Sequence, residues 1–263
     1  MNKTIEYEIK TGFSERTIEV AHDLLAKETC LNFTRIYGQS TSATVIRKKD
    51  KCSASAEIHD KKIHYYINVN WSCSERDKLQ RLIYWSTEMR YQITKCLAKH
   101  GRTEFLADRM IELLTTYHCI FENPRETDIN ISNNLLEFSG EKSPKKKDIV
   151  PSNLVQKDYS VEISFHDVRF LNEKICKDSC KSKPSKKCKN NSYPNPRRCT
   201  STCLCPFFYS GTSCEKLVMP KDPWFCKSNP LLTATSKKRT LVLDLFTECF
   251  YKIKPSSRTK KFM

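Results

Sequence analysis

The stretch SERTIEVAHDLLAKETCLNF (residues 14–33) decides the fold of the N-terminal part of the chain. It opens with a predicted capping box, formed by Ser14 and the segment 17–19. The strand-like alternation of IEYEI (5–9) precedes it, and Cys30 lies near its end. Apolar residues at helical spacing predict an amphipathic helix with one buried face: Ile18, Ala21, Leu24 and Leu25.

The elements that follow mix strands and helices. ATVIRKK (43–49) and KKIHYYINVNW (61–71) are typical of strands, because β-branched and aromatic residues alternate with polar ones. A long helical region is predicted at about 78–122, with a break near Gly101 and a stop at Pro124. A loop at 139–153 precedes a short amphipathic helix, SFHDVRFLNEKIC (164–176). TLVLDLF (240–246) and CFYKIK (249–254) predict strands near the end.

The cysteine content indicates an oxidising compartment. The chain has 263 residues and 14 cysteines, with a dense cluster between Cys176 and Cys214. Zinc modules favour paired C-x2-C knuckles, which are absent from this cluster. Residues 1–13 lack the apolar segment of a signal peptide, so we expect a secreted protein whose signal and pro-segment are not in this chain. Sequons that fit secretion as a glycoprotein lie at Asn32, Asn70, Asn130 and Asn190.

The net charge of +16 raises the question of a polyanionic partner. Basic residues concentrate in EKSPKKKD (141–148) and in the spacers of the cysteine cluster, without aromatic residues at regular spacing. This arrangement favours a solvated basic surface over a specific polyanion site and argues against nucleic acid. An extracellular protein or an acidic, heparin-like glycan is the partner we expect. No apolar run approaches the ~20 residues of a membrane span.

Several of these motifs resemble the astacin family of zinc metalloproteinases. The 15–33 helix with its T-C-x-x-F end, the cysteines of KC (51–52) and WSC (71–73), and the helix at 164–176 all follow the family's order. CLCPFFYSGTSCE (203–215) resembles an EGF-like module with Phe208 in place of a glycine, and 240–262 resembles the first strands of a CUB domain.

The resemblance implies a fold and a domain order. We expect an α+β, two-lobed astacin-like (metzincin) domain at 1–176 with a degenerate zinc helix. A small, disulfide-rich EGF-like module at 177–215 and a truncated, β-type CUB segment at 216–263 would follow it.

The resemblance also implies the disulfide pairing. The domain-closing bridge would be Cys30–Cys176, and Cys96 and Cys119 remain as a possible further pair, with a free thiol at Cys119 as the alternative. The other implied bridges are Cys52–Cys73, Cys180–Cys199, Cys188–Cys203, Cys205–Cys214 and Cys226–Cys249.

The family's active-site motif, H-E-x-x-H-x-x-G-x-x-H-E-x-x-R, aligns with residues 111–125. Glu112, at the general-base position, is retained, as are Glu122 and Arg125. The three zinc-ligand positions hold Ile111, Thr115 and Phe121, and the glycine position holds His118.

These replacements predict that the zinc site is lost. Ile and Phe offer no lone pair, Thr offers a neutral hydroxyl, and His118 alone does not make a site. Without zinc no bound water is activated, so Glu112 is only a vestigial general base. The Met-turn is matched at best by SVEIS (160–164), with Glu162 in place of Met. A second register, starting at Arg81, also supplies no histidine.

Three interpretations remain open from the sequence. The first is a secreted astacin-like pseudoprotease without zinc that acts by binding. The second is an active zinc-dependent endopeptidase that hydrolyses extracellular proteins, as the family's chemistry implies. The third is a decayed gene product, with which the truncated CUB-like segment and the missing signal are consistent. Three correctly spaced histidines, which would favour the second, are absent.

Overall fold

The computed structural model describes residues 3–38, 40, 42–59, 62–99, 128–132, 135–139, 163–181, 186–218, 226, 231–234 and 249–255. The chain divides into two compact units, Met1–Ser179 and Cys180–Met263. Unit 1 is a mixed α and β structure, and unit 2 is small and rich in disulfides.

Unit 1 is built on a mixed sheet of seven strands in the order β2-β1-β3-β5-β4-β7-β6. The β2–β1, β1–β3 and β3–β5 pairs are parallel, and the remaining three pairs are antiparallel. The strands are β1 Thr4–Lys10, β2 Asn32–Arg35, β3 Thr44–Lys48, β4 Ser53–His59, β5 Lys62–Val69, β6 Asp128–Ser132 and β7 Leu135–Ser139. The predicted strands at 5–9, 43–49 and 61–71 correspond to β1, β3 and β5.

Three α-helices are described in unit 1: α1 Glu15–Glu28, α2 Arg76–Lys99 and α3 Phe165–Lys174. The amide of Thr17 donates to the Ser14 side chain at the start of α1, over 3.3 Å. The reciprocal half of the predicted capping box is missing, because the third helical residue is Thr17 rather than Glu or Gln. Glu19 instead accepts from Arg35, over 2.9 Å. The complete capping box lies on α3, between Ser164 and Asp167.

The core of unit 1 lies between the sheet and the helices. α1 contributes Ile18 and Leu25, α2 contributes Met89 and Ile93, and α3 contributes Leu171. Burying each such side chain stabilises the fold by roughly 1.5–3 kcal/mol. α2 also contributes Leu79, and the most deeply buried large side chains outside the helices are Leu31, Ile46, Ile67 and Val69.

Two disulfides close unit 1 among its described cysteines. Cys30–Cys176 joins the end of α1 to the end of α3, with 5.6 Å between the Cα atoms. Cys52–Cys73 joins the start of β4 to the turn before α2, with 6.2 Å between the Cα atoms. Both are the pairs that the resemblance implies. Cys96 is also disulfide-bonded, and the predicted partner, Cys119, lies outside the described residues.

Unit 2 is held together by disulfides around short strand pairs. Tyr193–Pro194 (β8) pairs with Cys203–Leu204 (β9), and Tyr209–Ser210 (β10) pairs with Lys216–Leu217 (β11), both antiparallel. Leu231–Ala234 (β12) pairs in parallel with Lys252–Pro255 (β13), which overlaps the strand predicted at 249–254. The strand predicted at 240–246 lies outside the described residues. The disulfides are Cys180–Cys199, Cys188–Cys203, Cys205–Cys214 and Cys226–Cys249, again the implied pairs.

Candidate functional site

The predicted zinc motif is not among the described residues. Ile111, Glu112, Thr115 and Phe121 all lie in the segment 101–127, which the structure does not describe, and so do the other motif residues His118, Glu122 and Arg125. The case against zinc at these positions therefore rests on the chemistry of the side chains alone. The second register of the motif, by contrast, falls on α2, where the geometry is described.

α2 begins directly after a rigid, disulfide-bonded turn. Trp71–Cys73 forms one turn of 3-10 helix, and the Asn70 side chain caps it by accepting from the Ser72 amide, over 2.8 Å. The side-chain amide nitrogen of Asn70 donates to the backbone carbonyl of Asp50, over 2.6 Å. This hydrogen bond connects the turn to the segment before β4. Cys73 then bonds to Cys52. These contacts fix the point at which the chain enters α2.

The second register places the three ligand positions of the motif at Arg81, Trp85 and Tyr91 of α2. The guanidinium carbon of Arg81 lies 5.9 Å from the centroid of the Trp85 ring, a cation–π arrangement. Trp85 is only 6% exposed, and Leu82, at the general-base position, is 3% exposed. The two ligand positions on consecutive turns are thus occupied by a packed cation–aromatic pair.

None of these three side chains suits zinc. The Arg guanidinium is always protonated and has no free lone pair, the Trp indole only donates, and a Tyr phenol is protonated at neutral pH. Among the described residues, no group of three or more His, Cys, Asp or Glu could hold a metal ion. Both registers of the motif therefore lack a donor set for zinc.

A buried acidic cluster lies on the same helix. Tyr84 and Glu88 are four residues apart, both buried, and their side chains are hydrogen-bonded. Burial raises the pKa of Glu88 to about 7, although the hydrogen bond with Tyr84 works against this rise. Asp167, in the capping box of α3, adds to the rise through charge repulsion. Burial also raises the pKa of Tyr84, so the cluster favours a protonated carboxyl.

Sequence reasoning missed this cluster. The only trace of it in the sequence is the i, i+4 spacing of Tyr84 and Glu88. Nothing local indicates that residues 82–89 are all buried. A protonated carboxyl next to a phenol can donate a proton, but no group of three or more metal-binding side chains is found among the described residues around it. We therefore regard the cluster as a structural feature of the α2–α3 region.

Sequence reasoning also missed two other polar side chains, Arg90 and His22, and the contacts of both are structural. The Arg90 guanidinium donates to the carbonyl of Ser42 (3.0 Å) and to the hydroxyl of Thr44 (3.1 Å), and it lies 3.9 Å from the Tyr65 ring centroid. His22 on α1 is 3% exposed and stacks on Tyr7, with 3.9 Å between ring centroids. Burial lowers the pKa of His22 to about 4, so the imidazole is neutral at pH 7.

The described sequons lie in different environments. Asn32 is exposed at the start of β2, and the side-chain amide of Asn70 makes the turn contacts described above. Asn190 has a left-handed backbone (φ 53°), and its side chain donates to the carbonyl of Cys214, over 2.7 Å. Asn130 lies in β6, where it pairs with Glu137.

Comparison with known proteins places the chain among metalloproteinase relatives. It is 23% identical over 244 residues to zinc metalloproteinase dpy-31 of Brugia malayi, and 24% identical over 247 residues to dpy-31 of Caenorhabditis elegans. These matches cover 86% and 87% of this chain and 39% of each relative. A shorter match, 47% identical over 55 residues, covers 21% of this chain and 9% of zinc metalloproteinase nas-36 of Caenorhabditis elegans.

These relatives identify the class of protein. No protein-family model matches the chain. The dpy-31 matches nevertheless extend over most of its length, and the motifs resemble those of the astacin family. The chain is a homologue of the nematode astacin-family zinc metalloproteinases and spans about 39% of the length of the dpy-31 proteins that it matches.

Zinc does not fit the residues that stand at the aligned ligand positions of this chain. The first register offers Ile, Thr and Phe at the ligand positions, and the second offers Arg, Trp and Tyr. Structural and catalytic zinc sites use Cys, His and carboxylate ligands, with at least three from the protein. No described residue cluster supplies them.

Proposed function

We propose that this chain is a secreted, astacin-family metalloproteinase homologue that has lost zinc and catalysis and acts by binding. The observation that carries the proposal is the donor chemistry at the ligand positions. Neither Ile111, Thr115 and Phe121 nor their counterparts on α2 can replace three histidines. A protein of this kind keeps the scaffold of an enzyme and uses its surfaces instead of a metal centre.

The arrangement of α2 supports the same proposal. An active-site helix of a zinc peptidase must present its ligands to an open cleft, so that substrate and water reach the metal. Arg81 and Trp85 are instead stacked on each other, and residues 82–89 are buried on every side of the helix. Substituting histidine at Trp85 would create a cavity rather than complete a site.

Secretion is part of the proposal and rests on the disulfides. Six disulfides join described cysteines, and Cys96 is oxidised as well. Disulfides of this density persist in oxidising compartments. We further propose glycan attachment at the sequons. In the part of the chain that the structure describes, no helix is long and apolar enough to cross a membrane.

The domain order is proposed as well. We assign the astacin-like domain to 1–176, an EGF-like module to 177–215 and a CUB-like segment to 216–263. Within the second segment, the first cysteine pairs with the third, the second with the fourth and the fifth with the sixth. This order supports the EGF-like assignment.

The alternative is an active zinc endopeptidase. The names of the relatives favour it, because they are zinc metalloproteinases. The retention of Glu112 at the general-base position is also consistent with it. Against it stands the same donor chemistry, since a general base without a metal-activated water has no nucleophile to generate.

The test measures zinc and hydrolysis in the same preparation. The full chain, folded with its disulfides, is equilibrated with zinc, freed of unbound metal and analysed by atomic emission. Peptidase activity is then measured with and without added zinc for the wild type and for Glu112→Gln. We expect zinc far below one per chain and no cleavage by either protein. About one zinc per chain, or cleavage by the wild type that Glu112→Gln abolishes, would refute the proposal.

A further inference from the structure

The positive charge of the chain is concentrated in unit 2. Residues 180–263 contain 18 Lys and Arg but only 4 Asp and Glu, a net charge of +14. The whole chain carries +16, so unit 1 is almost neutral although it is about twice as long. A small module with this imbalance repels itself and attracts anions, so the imbalance calls for a specific explanation.

Four lysines of unit 2 lie in or next to one turn, residues 211–216. The Lys186 ammonium donates to the Thr212 hydroxyl over 3.3 Å, and the backbone amide of Lys189 donates to the Ser213 carbonyl over 3.0 Å. Lys216 belongs to the turn itself. Together with Lys252, these residues form what we call the lysine cluster.

Lys252 joins the cluster from β13. Its ammonium donates to the side-chain oxygen of Asn190 over 2.8 Å, and Asn190 in turn donates to the carbonyl of Cys214. The Lys252 ammonium also lies 5.2 Å from the Tyr209 ring centroid. Lys254 is two residues further along the strand and lies on the same face of it. The cluster thus combines residues that are distant in sequence.

One acidic residue within the turn offsets part of this charge. Backbone amides of its own turn lower the pKa of Glu215, and the charges of Lys216 and Lys189 lower it further. Glu215 is the only carboxylate among the described side chains of unit 2. It is folded onto its own turn, where it accepts from the Ser213 amide over 2.9 Å. Gly211 has a φ of +91°, a backbone conformation that favours glycine, and a Cβ added there would lie 2.6 Å from the Glu215 carboxylate. Lys189 and Lys216 are exposed on the surface around it.

We infer that the lysine cluster of unit 2 (Lys186, Lys189, Lys216 and Lys252) binds a sulfated polysaccharide. This inference rests on the proposed function as a binding protein and names the class of its partner. Each sulfate group of such a polysaccharide carries a permanent negative charge. The lysine ammonium is a compact positive charge on a flexible stem, so it can pair with single sulfate groups along an extended chain. The disulfides place the module in an oxidising compartment, where sulfated polysaccharides are the abundant linear polyanions.

The composition of the cluster distinguishes this partner from nucleic acid. Unit 2 has 14 Lys and only 4 Arg, whereas base and phosphate recognition favours the bidentate Arg fork. Single-strand binding also needs aromatic side chains that are free to stack on successive bases. Phe207, although 74% exposed, contacts Phe208 and Phe250 edge to face, and the rings described near the cluster do not form a parallel series on which successive bases could stack.

The experiment measures binding of the full chain to a sulfated heparin oligosaccharide by titration calorimetry at several salt concentrations. The test variant is Lys189→Gln/Lys216→Gln/Lys252→Gln. The matched control, Lys49→Gln/Lys51→Gln/Lys62→Gln, removes the same charge from exposed positions of unit 1. We expect the test variant to weaken binding about tenfold and to flatten its salt dependence, and the control to change binding less than about twofold.

Further arms exclude misfolding and non-specific attraction. The conservative variant with arginine at the same three unit 2 positions keeps the charge and should bind as the wild type does. Loss of binding in this variant as well would refute the cluster as a charge site. Chemically desulfated heparin and single-stranded DNA serve as other polyanions. Equal binding of either, equal loss in the unit 1 control, or no binding by the wild type would overturn the inference.

The two proposals fail separately. Zinc binding or peptide cleavage would refute the loss of catalysis and leave the heparin result unchanged. Absence of heparin binding would refute the polysaccharide partner and leave the zinc result unchanged.

Discussion

Cys30 and Cys176 are 146 residues apart in the sequence, and their Cα atoms are 5.6 Å apart in the structure. The bond closes almost the whole of unit 1, because it connects the end of its first helix to the end of its last. Asn172 reinforces this junction by donating to the carbonyl of Glu28, over 2.8 Å. The disulfide therefore constrains the unfolded chain more than any other described bridge in the unit.

We predict that removing this bridge destabilises unit 1 strongly. For Cys30→Ser/Cys176→Ser, loop-closure entropy predicts that the free energy of unfolding falls by about 4–5 kcal/mol. This is an upper value, because Cys52–Cys73 already closes part of the same loop. For Cys52→Ser/Cys73→Ser, whose cysteines are 21 residues apart, the same relation gives about 3 kcal/mol. Urea unfolding monitored by tryptophan fluorescence measures both. A larger loss for the second variant would contradict this ranking.

A second prediction concerns the asparagine cap before α2. Asn70→Ala should cost about 1 kcal/mol in unglycosylated protein, because the Ser72 amide loses its acceptor and the tie to Asp50 is broken. Asn32→Ala removes another sequon at an exposed position and should cost less. Thermal unfolding of both variants measures the difference. Equal losses would mean that the cap does not stabilise the turn.

Local patterns predict those elements of unit 1 whose residues carry their own signals. α1 and α3 have N-cap serines and apolar residues at helical spacing, and β1, β3 and β5 have alternating β-branched or aromatic residues. β4 (Ser53–His59) was not predicted, because SASAEIH has almost no residue with high strand propensity. It is a strand because it pairs with β5 on one side and β7 on the other.

The candidate site was predictable in its chemistry but not in its packing. Motif spacing alone identifies the missing ligands, since a side chain without a lone pair cannot bind zinc in any conformation. The burial of Glu88 depends instead on neighbours that are distant in sequence, among them Asp167 on α3. The placement of Lys186, Lys216 and Lys252 in or next to one turn depends likewise on disulfides and on β13, which spacing does not reveal.

A third prediction follows from Glu88. Its pKa of about 7 in the folded protein exceeds the ordinary value of 4.5, mainly through burial. The folded state therefore holds this proton more tightly, and the associated stability is present below pH 4.5 and is lost as the pH rises through about 7. Glu88→Gln should remove this loss, which amounts to roughly 3 kcal/mol at most.

The measurement is the free energy of unfolding between pH 5 and pH 8. The control is Glu75→Gln, which removes a carboxylate whose side chain is 74% exposed. A Glu88→Gln variant with the same pH slope as the wild type would show that Glu88 does not titrate in this range.

The last prediction concerns His22, whose effect has the opposite sign. Its pKa of about 4 lies below the ordinary 6.5 because the ring is buried, and burial outweighs the hydrogen bond to the Ile18 carbonyl. That carbonyl can only accept, so Nδ1 donates to it over 2.8 Å and the neutral ring carries its proton on Nδ1.

The contribution of the neutral His22 to the free energy of unfolding is present above pH 6.5 and is lost as the pH falls through about 4. His22→Leu should therefore reduce the loss of stability on acidification. His166→Asn, at an exposed position of α3, is the control. Nitrogen chemical shifts of labelled histidine measure the tautomer and the titration directly. A ring protonated at pH 6, or one with its proton on Nε2, would contradict the prediction.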